Sequence, residues 1–165
     1  ITYMQKITPN FWFDKDAEEA VNLYVSLFPN SSIGTMSRFG KEGFEFHHMP
    51  EGTVMTVDFE LNGQKFLALN GGPIFQFTEA VSFIIDCKDQ AEVDHYWNGL
   101  TANGGQESQC GWCKDKFGLS WQVVPRQFGE LMKSGTPEQA SRVMNAMFQM
   151  KKFDITKLQA AYDGE

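Results

Sequence analysis

Positive charge is scarce in this chain. Fourteen lysines and arginines stand against 21 aspartates and glutamates, a formal net charge of -7. Gripping nucleic-acid phosphates needs clustered cations. Lys114/Lys116 and Lys151-Lys152 are too small to form such a cluster, so no nucleic-acid partner is expected. There are only three cysteines, an odd number, which excludes a disulfide framework and points to a reducing compartment. No apolar run approaches membrane-spanning length, so no membrane role is expected. The opening Ile1-Thr2-Tyr3-Met4 lacks the charged and then apolar stretch of a secretory signal, so the cytoplasm is the expected compartment.

Aromatic residues, by contrast, are plentiful: 15 Phe, 4 Trp and 4 Tyr, ample for a core. The chain also repeats itself about 73 residues apart. Phe11-Trp12-Phe13-Asp14 is followed by Asp16, Glu19, Ala20, Leu23, Tyr24 and Leu27. Phe83-Ile84-Ile85-Asp86 is followed by Asp89, Glu92, Val93, Tyr96, Trp97 and Leu100. Both passages read as a short strand, an acidic stop and an amphipathic helix of the same phase.

The pass along the chain predicts a strand over about 5–13 and a helix capped by Asp14 or Asp16, with Ala20, Leu23, Tyr24, Leu27 and Phe28 on its buried stripe. Pro29-Asn30 ends that helix, a strand follows over 32–38, and 40–52 read as a loop. Met55, Val57, Phe59 and Leu61 alternate toward an Asn62-Gly63 turn and a return strand over 65–69. In the second half, strands are expected over about 81–87, 106–113 and 119–124. Asp89 and Glu92 are spaced as a capping box. Thr136-Pro137 and Asp154 start helices of a tail. The expected class is therefore α+β: two βαβββ repeats forming curved mixed sheets in one domain over 1–165. The modules span 4–73 and 79–125, and the helical tail spans 126–165.

Several strings resemble the PhnB-like branch of the vicinal oxygen chelate superfamily, which includes glyoxalases, extradiol dioxygenases and bleomycin-resistance proteins. They are Thr8-Pro9-Asn10-Phe11-Trp12-Phe13, Ala68-Leu69-Asn70-Gly71-Gly72-Pro73, Gln109-Cys110-Gly111-Trp112, Lys114 to Pro125 and Arg142 to Met147 with Met150-Lys151-Lys152. Such proteins are often labelled 3-demethylubiquinone-9 3-methyltransferase. The resemblance implies subunit pairing, so a homodimer is expected. It also implies a divalent ion held by His and Glu on the first and last strands of each repeat. Those positions fall here on Pro9, on Val81 or Ser82, on the ligand-free stretch 65–69, and on Gln122. No metal is expected in the standard way. Both strand-to-helix junctions, Asp14-Lys15-Asp16 and Asp86-Cys87-Lys88-Asp89, lack the glycine-rich turn of a nucleotide cradle. No cofactor is expected.

The candidate cavity residues are Phe11, Trp12, Phe13, His47, His48, Trp112, Ser120 and Gln122. Alternation puts Phe11 with Phe13, and Ser120 with Gln122, on the sides that the resemblance assigns to a cavity. Trp12 or Trp112 would stand at its rim. His47 and His48 are adjacent and read first as loop or strand-edge residues; the sharper reading has one of them face the cavity as an acid-base or hydrogen-bonding group, and His95 falls off its helix's buried stripe. Cys110-Gly111-Trp112-Cys113 is a C-x-x-C that leads into a strand, without the helix N-terminus that favours a thiolate. Two strand cysteines on differing faces, one packed, is the expectation. Together these readings predict a small-molecule-binding protein with a mainly apolar cavity for an apolar or aromatic ligand. The alternative is a metal-dependent or divergent enzyme of lyase, isomerase or dioxygenase type; the third reading is the methyltransferase of the label. Whether a reaction occurs is left open.

Overall fold

The computed structural model describes residues 4–165. The chain divides into two compact units, Ile1–Gln76 and Phe77–Glu165. The first contains β1 (Asn10–Phe13), α1 (Ala17–Leu27), β2 (Ser32–Arg38), the short α2 (Phe44–His47), β3 (Val54–Leu61) and β4 (Gln64–Asn70). The second contains β5 (Ser82–Cys87), α3 (Gln90–Thr101), β6 (Gln106–Glu107), β7 (Trp112–Lys114) and β8 (Ser120–Pro125). The tail then forms α4 (Arg126–Ser134), α5 (Pro137–Phe148) and α6 (Ile155–Asp163). The class is α+β with two βαβββ repeats and C-terminal helices. Among the described residues, no helix is long and apolar enough to cross a membrane.

Each unit has one four-stranded mixed sheet, ordered β1-β4-β3-β2 in the first and β5-β8-β7-β6 in the second. In both, the first strand pairs in parallel with the last, Asn10 opposite Leu67 and Ser82 opposite Ser120. A parallel pair needs a crossover, and each crossover contains a helix that packs on one face of the sheet. In the first unit, Phe11, Tyr24, Phe59 and Phe66 meet as a ring cluster between sheet and helix, with Phe59 and Phe66 stacked across β3 and β4 at 5.3 Å. The fully buried positions of α1 are Ala17, Ala20, Val21 and Tyr24, so its stripe is turned toward Val21, leaving Leu23 and Leu27 half-buried. In the second unit, Val93, Tyr96, Trp97 and Leu100 are buried as their spacing predicts.

The start of α1 is not capped as the sequence suggests. Asp16 occupies the N-cap position but makes no side-chain bond there. The first helical N–H, of Ala17, donates instead to Oδ1 of Asn70 at 2.9 Å, and Asn70 Nδ2 donates to the Val54 carbonyl at 3.0 Å. Asn70 is 3 % exposed, so both bonds are sheltered from water. The next residue, Gly71, lies under the Trp12 ring, where a Cβ would come within 2.3 Å of it. Trp12 Nε1 then donates to the Gly72 carbonyl at 2.9 Å. The Asn70-Gly71-Gly72 string therefore joins helix, strand and Trp12.

The second half deviates in two places from the sequence reading. The strand expected over 106–113 is two short strands, because Cys110 and Gly111 both take positive φ, 58° and 82°. Asp89 caps α3 through the Glu92 N–H, while Glu92 reaches back to the Lys88 N–H rather than to Asp89. The tail follows its caps: Thr136 and Gln139 form the capping box of α5, and Asp154 accepts from Lys157 at the start of α6.

The Cys110-Gly111 turn ties the tail to the sheet. Its two N–H groups donate to the carbonyls of Met150 and Lys151, each at 2.8 Å. The Phe153 ring fills the space over Gly111, where a Cβ would meet it at 2.4 Å. Gln90 completes the tie, with Nε2 donating to the Phe153 carbonyl and Oε1 accepting from the Ile155 N–H.

Two outcomes follow. Asn70→Ala removes a helix cap and leaves a buried carbonyl unpaired, at a cost of about 2–4 kcal/mol read from urea unfolding of the first unit. Asn70→Asp keeps the acceptor and costs less. Gly111→Ala places a Cβ against Phe153 at positive φ, and limited proteolysis should then cut near residues 149–153 in a tail that resists protease in the parent protein.

Candidate functional site

The helix-facing and helix-averted sides of each sheet are distinguished by burial. In β1, Phe11 and Phe13 are each 4 % exposed and point toward α1, with Phe11 edge-on to Tyr24 at 6.4 Å. This corrects the assignment of both to a cavity face. The physical reason is simple: the bulkier apolar parity of the strand is the one that meets the helix. Trp12, of opposite parity, lies on the averted side, half-buried and edge-on to Phe75 at 5.0 Å. The same side of the first sheet carries Leu67 and Leu69 of β4 and the Ser37–Thr56 hydroxyl pair joining β2 to β3. Farther along that sheet, Thr35, Asp58, Glu60, Lys65 and Leu67 rim an open hollow of about 520 Å³.

In the second sheet the parity runs as expected for Ser120 and Gln122. Trp121 and Val123 are buried on the α3 side, leaving Ser120, Gln122 and Val124 on the averted side. Trp112 pairs with Gln122 across β7 and β8, and Ile84 pairs with Gln122 across β5 and β8, so the three share that face. Ile84 is 67 % exposed. Gln122 Nε2 donates to Ser82 Oγ at 2.9 Å, and Ser120 Oγ is buried without a hydrogen-bond partner. Trp112, the first residue of β7, is half-buried on this face.

The histidines divide. His47 Nδ1 accepts the Met49 N–H at 2.8 Å, which puts the ring proton on Nε2, and Nε2 meets the Glu42 carbonyl at 2.9 Å. The ring also lies 4.5 Å from that of Phe39. Both nitrogens are thus engaged in holding the loop around α2, and neither is available to a ligand. His48 is exposed, with φ 54° and its ring edge-on to Phe44. His95 is exposed on α3.

The ligand set of a divalent ion does not fit. Pro9 offers a backbone carbonyl that already accepts from Leu67, Ser82 Oγ is taken by Gln122, and Gln122 is a neutral amide. Among the described residues, no three His, Cys, Asp or Glu side chains converge on one point. At the start of α1 the Ala17 N–H is taken by Asn70, and at the start of α3 the Glu92 N–H is taken by Asp89, so a side chain of the protein already occupies each start.

Sequence reasoning missed the part played by Asp115. Its carboxylate is 2 % exposed and accepts the N–H groups of Phe117 and Leu119 and Nε1 of Trp121 at 2.9–3.1 Å. The spacing Asp-x-Phe-Gly-Leu-x-Trp carried that signal, since a carboxylate beginning a glycine turn accepts N–H groups from the residues that follow. Much of the Lys114–Pro125 string is thus a self-contained turn. Cys113 is packed on the α3 side, and burial pushes its thiol up to about 12. Burial does the same to Cys87, also to about 12. Cys110 sits in the turn before β7 rather than in a strand. A neutral thiol is a poor nucleophile. An aromatic disulfide reagent at pH 8 should therefore titrate Cys110 quickly in the native protein, with all three cysteines reacting once it is unfolded; rapid native labelling of Cys113 would contradict this.

A family model described as 3-demethylubiquinone-9 3-methyltransferase matches residues 5–124. No curated protein matches the chain. Among solved structures, a putative 3-demethylubiquinone-9 3-methyltransferase, PhnB protein, from Bacillus cereus is 35 % identical, with 73 % of this chain and 99 % of that one covered and a TM-score of 0.65. Protein PA1353 from Pseudomonas aeruginosa is 19 % identical over 74 % of this chain and 98 % of its own, with a TM-score of 0.59. A glyoxalase/bleomycin resistance protein from Albidiferax ferrireducens T118 is 13 % identical over 74 % and 99 %, with a TM-score of 0.47. The chain belongs to the 3-demethylubiquinone-9 3-methyltransferase family, with a PhnB protein among its relatives.

Proposed function

We propose that this protein is a cytoplasmic small-molecule-binding member of its superfamily, holding a flat apolar or aromatic ligand against the helix-averted face of the second sheet. One observation carries the reading. Ile84, Trp112 and Gln122 lie side by side on that face, and Ile84 is exposed although it is apolar and belongs to the strand that pairs with the sheet's last. An apolar residue left open on the sheet's edge strand gains nothing from water, whereas a flat ligand laid on Trp112 and Ile84 removes apolar area from solvent on both partners. The single amide of Gln122 gives such a ligand an orientation without supplying charge. Many residues of the strings that carry the family likeness are spent on caps, turns and the tail tie. Trp12, Trp112, Ser120 and Gln122 remain on averted faces.

Methyl transfer is the second reading, favoured by the description of the family model. Against it stand the occupied starts of α1 and α3 and sheets with one parallel pair each.

Naphthalene titrated into the full chain should quench part of the tryptophan fluorescence. Ile84→Glu should weaken that binding by about tenfold or more while leaving the melting temperature in place, because the side chain is exposed. Equal binding by the variant would contradict the site. For the second reading, S-adenosylmethionine titrated by calorimetry should give a flat trace, and saturable heat would favour methyl transfer instead.

A further inference from the structure

Beside Trp112 the second unit holds a small, partly enclosed pocket of about 140 Å³, whose lining includes Glu79, Glu107, Trp112, Lys114 and Ser120. Three features of it are unusual together. Ser120 is wholly buried, yet its Oγ has no hydrogen-bond partner. A buried hydroxyl left unpaired is destabilising, so its retention on a face otherwise built for contact asks for a partner that arrives from outside. Lys114 lies directly opposite Ser120 in the antiparallel β7–β8 ladder, so their side chains leave the sheet on the same side within reach of one another. The Lys114 ammonium carries three N–H groups and is held by the Glu79 carboxylate, which leaves donors to spare.

The charges decide which acceptor fits. Glu107 sits opposite Cys113 and turns its carboxylate to the α3 side, so on the averted face the Glu79 carboxylate alone balances the Lys114 ammonium. Glu107 already accepts from Trp97 Nε1 at 2.9 Å and lies 4.0 Å from Lys151 Nζ, and Glu79 is committed to Lys114. A ligand carboxylate or phosphate would have to compete with Glu79 for that ammonium; a neutral oxygen would not. The volume, about 140 Å³, is close to that of a cavity that holds one benzene-sized ring, so it admits one end of a larger flat ligand rather than the whole. Trp112 borders both this pocket and the apolar face beside Ile84.

We propose that Ser120 and Lys114 form the polar end of the ligand site and receive a neutral oxygen, a hydroxyl or carbonyl, borne by a flat aromatic ligand whose ring lies on Trp112. The inference rests on the binding reading above and narrows its ligand class to uncharged phenols and aryl ketones. Ser120 and Lys114 donate to the oxygen, Glu79 fixes the ammonium, and the unpaired hydroxyl gains its bond only in the complex.

The test compares naphthalene, 2-naphthol and 2-naphthoate on the full chain, by fluorescence or calorimetry. The expected order is 2-naphthol tightest, by roughly three- to tenfold over naphthalene, with 2-naphthoate weakest. Ser120→Ala should lose most of the advantage of 2-naphthol over naphthalene. Because it deletes an unpaired hydroxyl, its melting temperature should stay level or rise. Lys114→Met serves as the second variant and should also reduce the advantage. Equal binding of naphthalene and 2-naphthol overturns the polar end and leaves the apolar face standing. A preference for 2-naphthoate, or a 2-naphthol advantage that survives in both variants, also overturns it. Failure of all three probes to bind overturns this proposal together with the reading it rests on.

Discussion

One parallel strand pair organises each half of the molecule. Joining β1 to β4, or β5 to β8, side by side requires the intervening chain to cross over, and the crossover helix then covers one face of the sheet. The asymmetry of everything else follows from that. Apolar residues of one parity go under the helix, and residues of the other parity are left for different work. In the first unit this separates Phe11 and Phe13 from Trp12; in the second it separates Trp121 and Val123 from Ser120 and Gln122. The repeat in the sequence is the repeat of this constraint.

The family strings acquire physical meanings in this light. Asn70 substitutes for a cap that Asp16 does not make, and Gly71 gives Trp12 the room to bond Gly72. Cys110-Gly111 is a positive-φ turn whose N–H groups fasten the tail at Met150 and Lys151. Asp115 gathers three N–H donors into a closed turn. Each of these positions is constrained by scaffolding, which is sufficient to explain its residue type without any reaction. A shared string of this kind marks ancestry and fold more securely than activity.

Much of the architecture was legible in the sequence because it rests on local signals. Period-2 runs gave β3 and β5, the Val93, Tyr96, Trp97 and Leu100 spacing gave α3, and Thr136-Pro137 gave the start of α5. What escaped was non-local or two-sided. The cap of α1 comes from a residue 53 positions away. The face of β1 was misjudged because a strand with aromatic residues on both sides has no polar parity to orient it; the deciding fact was which side met Tyr24. The break at Cys110-Gly111 was hidden because its reason, the Phe153 ring, lies in the tail. Of the proposed site, alternation puts Ser120 with Gln122 on one face and the resemblance sets Trp112 at a rim, while Ile84 and Lys114 need the strand register to join them. His47 stood out by residue type alone, and its bonds to Met49 and Glu42 explain it as a loop fastener.

The central claim is that the helix-averted face of the second sheet is where a flat ligand lies. The most direct measurement is a map of backbone amide chemical shifts for the full chain with and without naphthalene. The account predicts that changes gather at Ile84, Trp112 and Gln122 and spare Val93, Trp97 and Leu100 on the helix side. Changes centred on another surface, or none at saturating naphthalene, would contradict it.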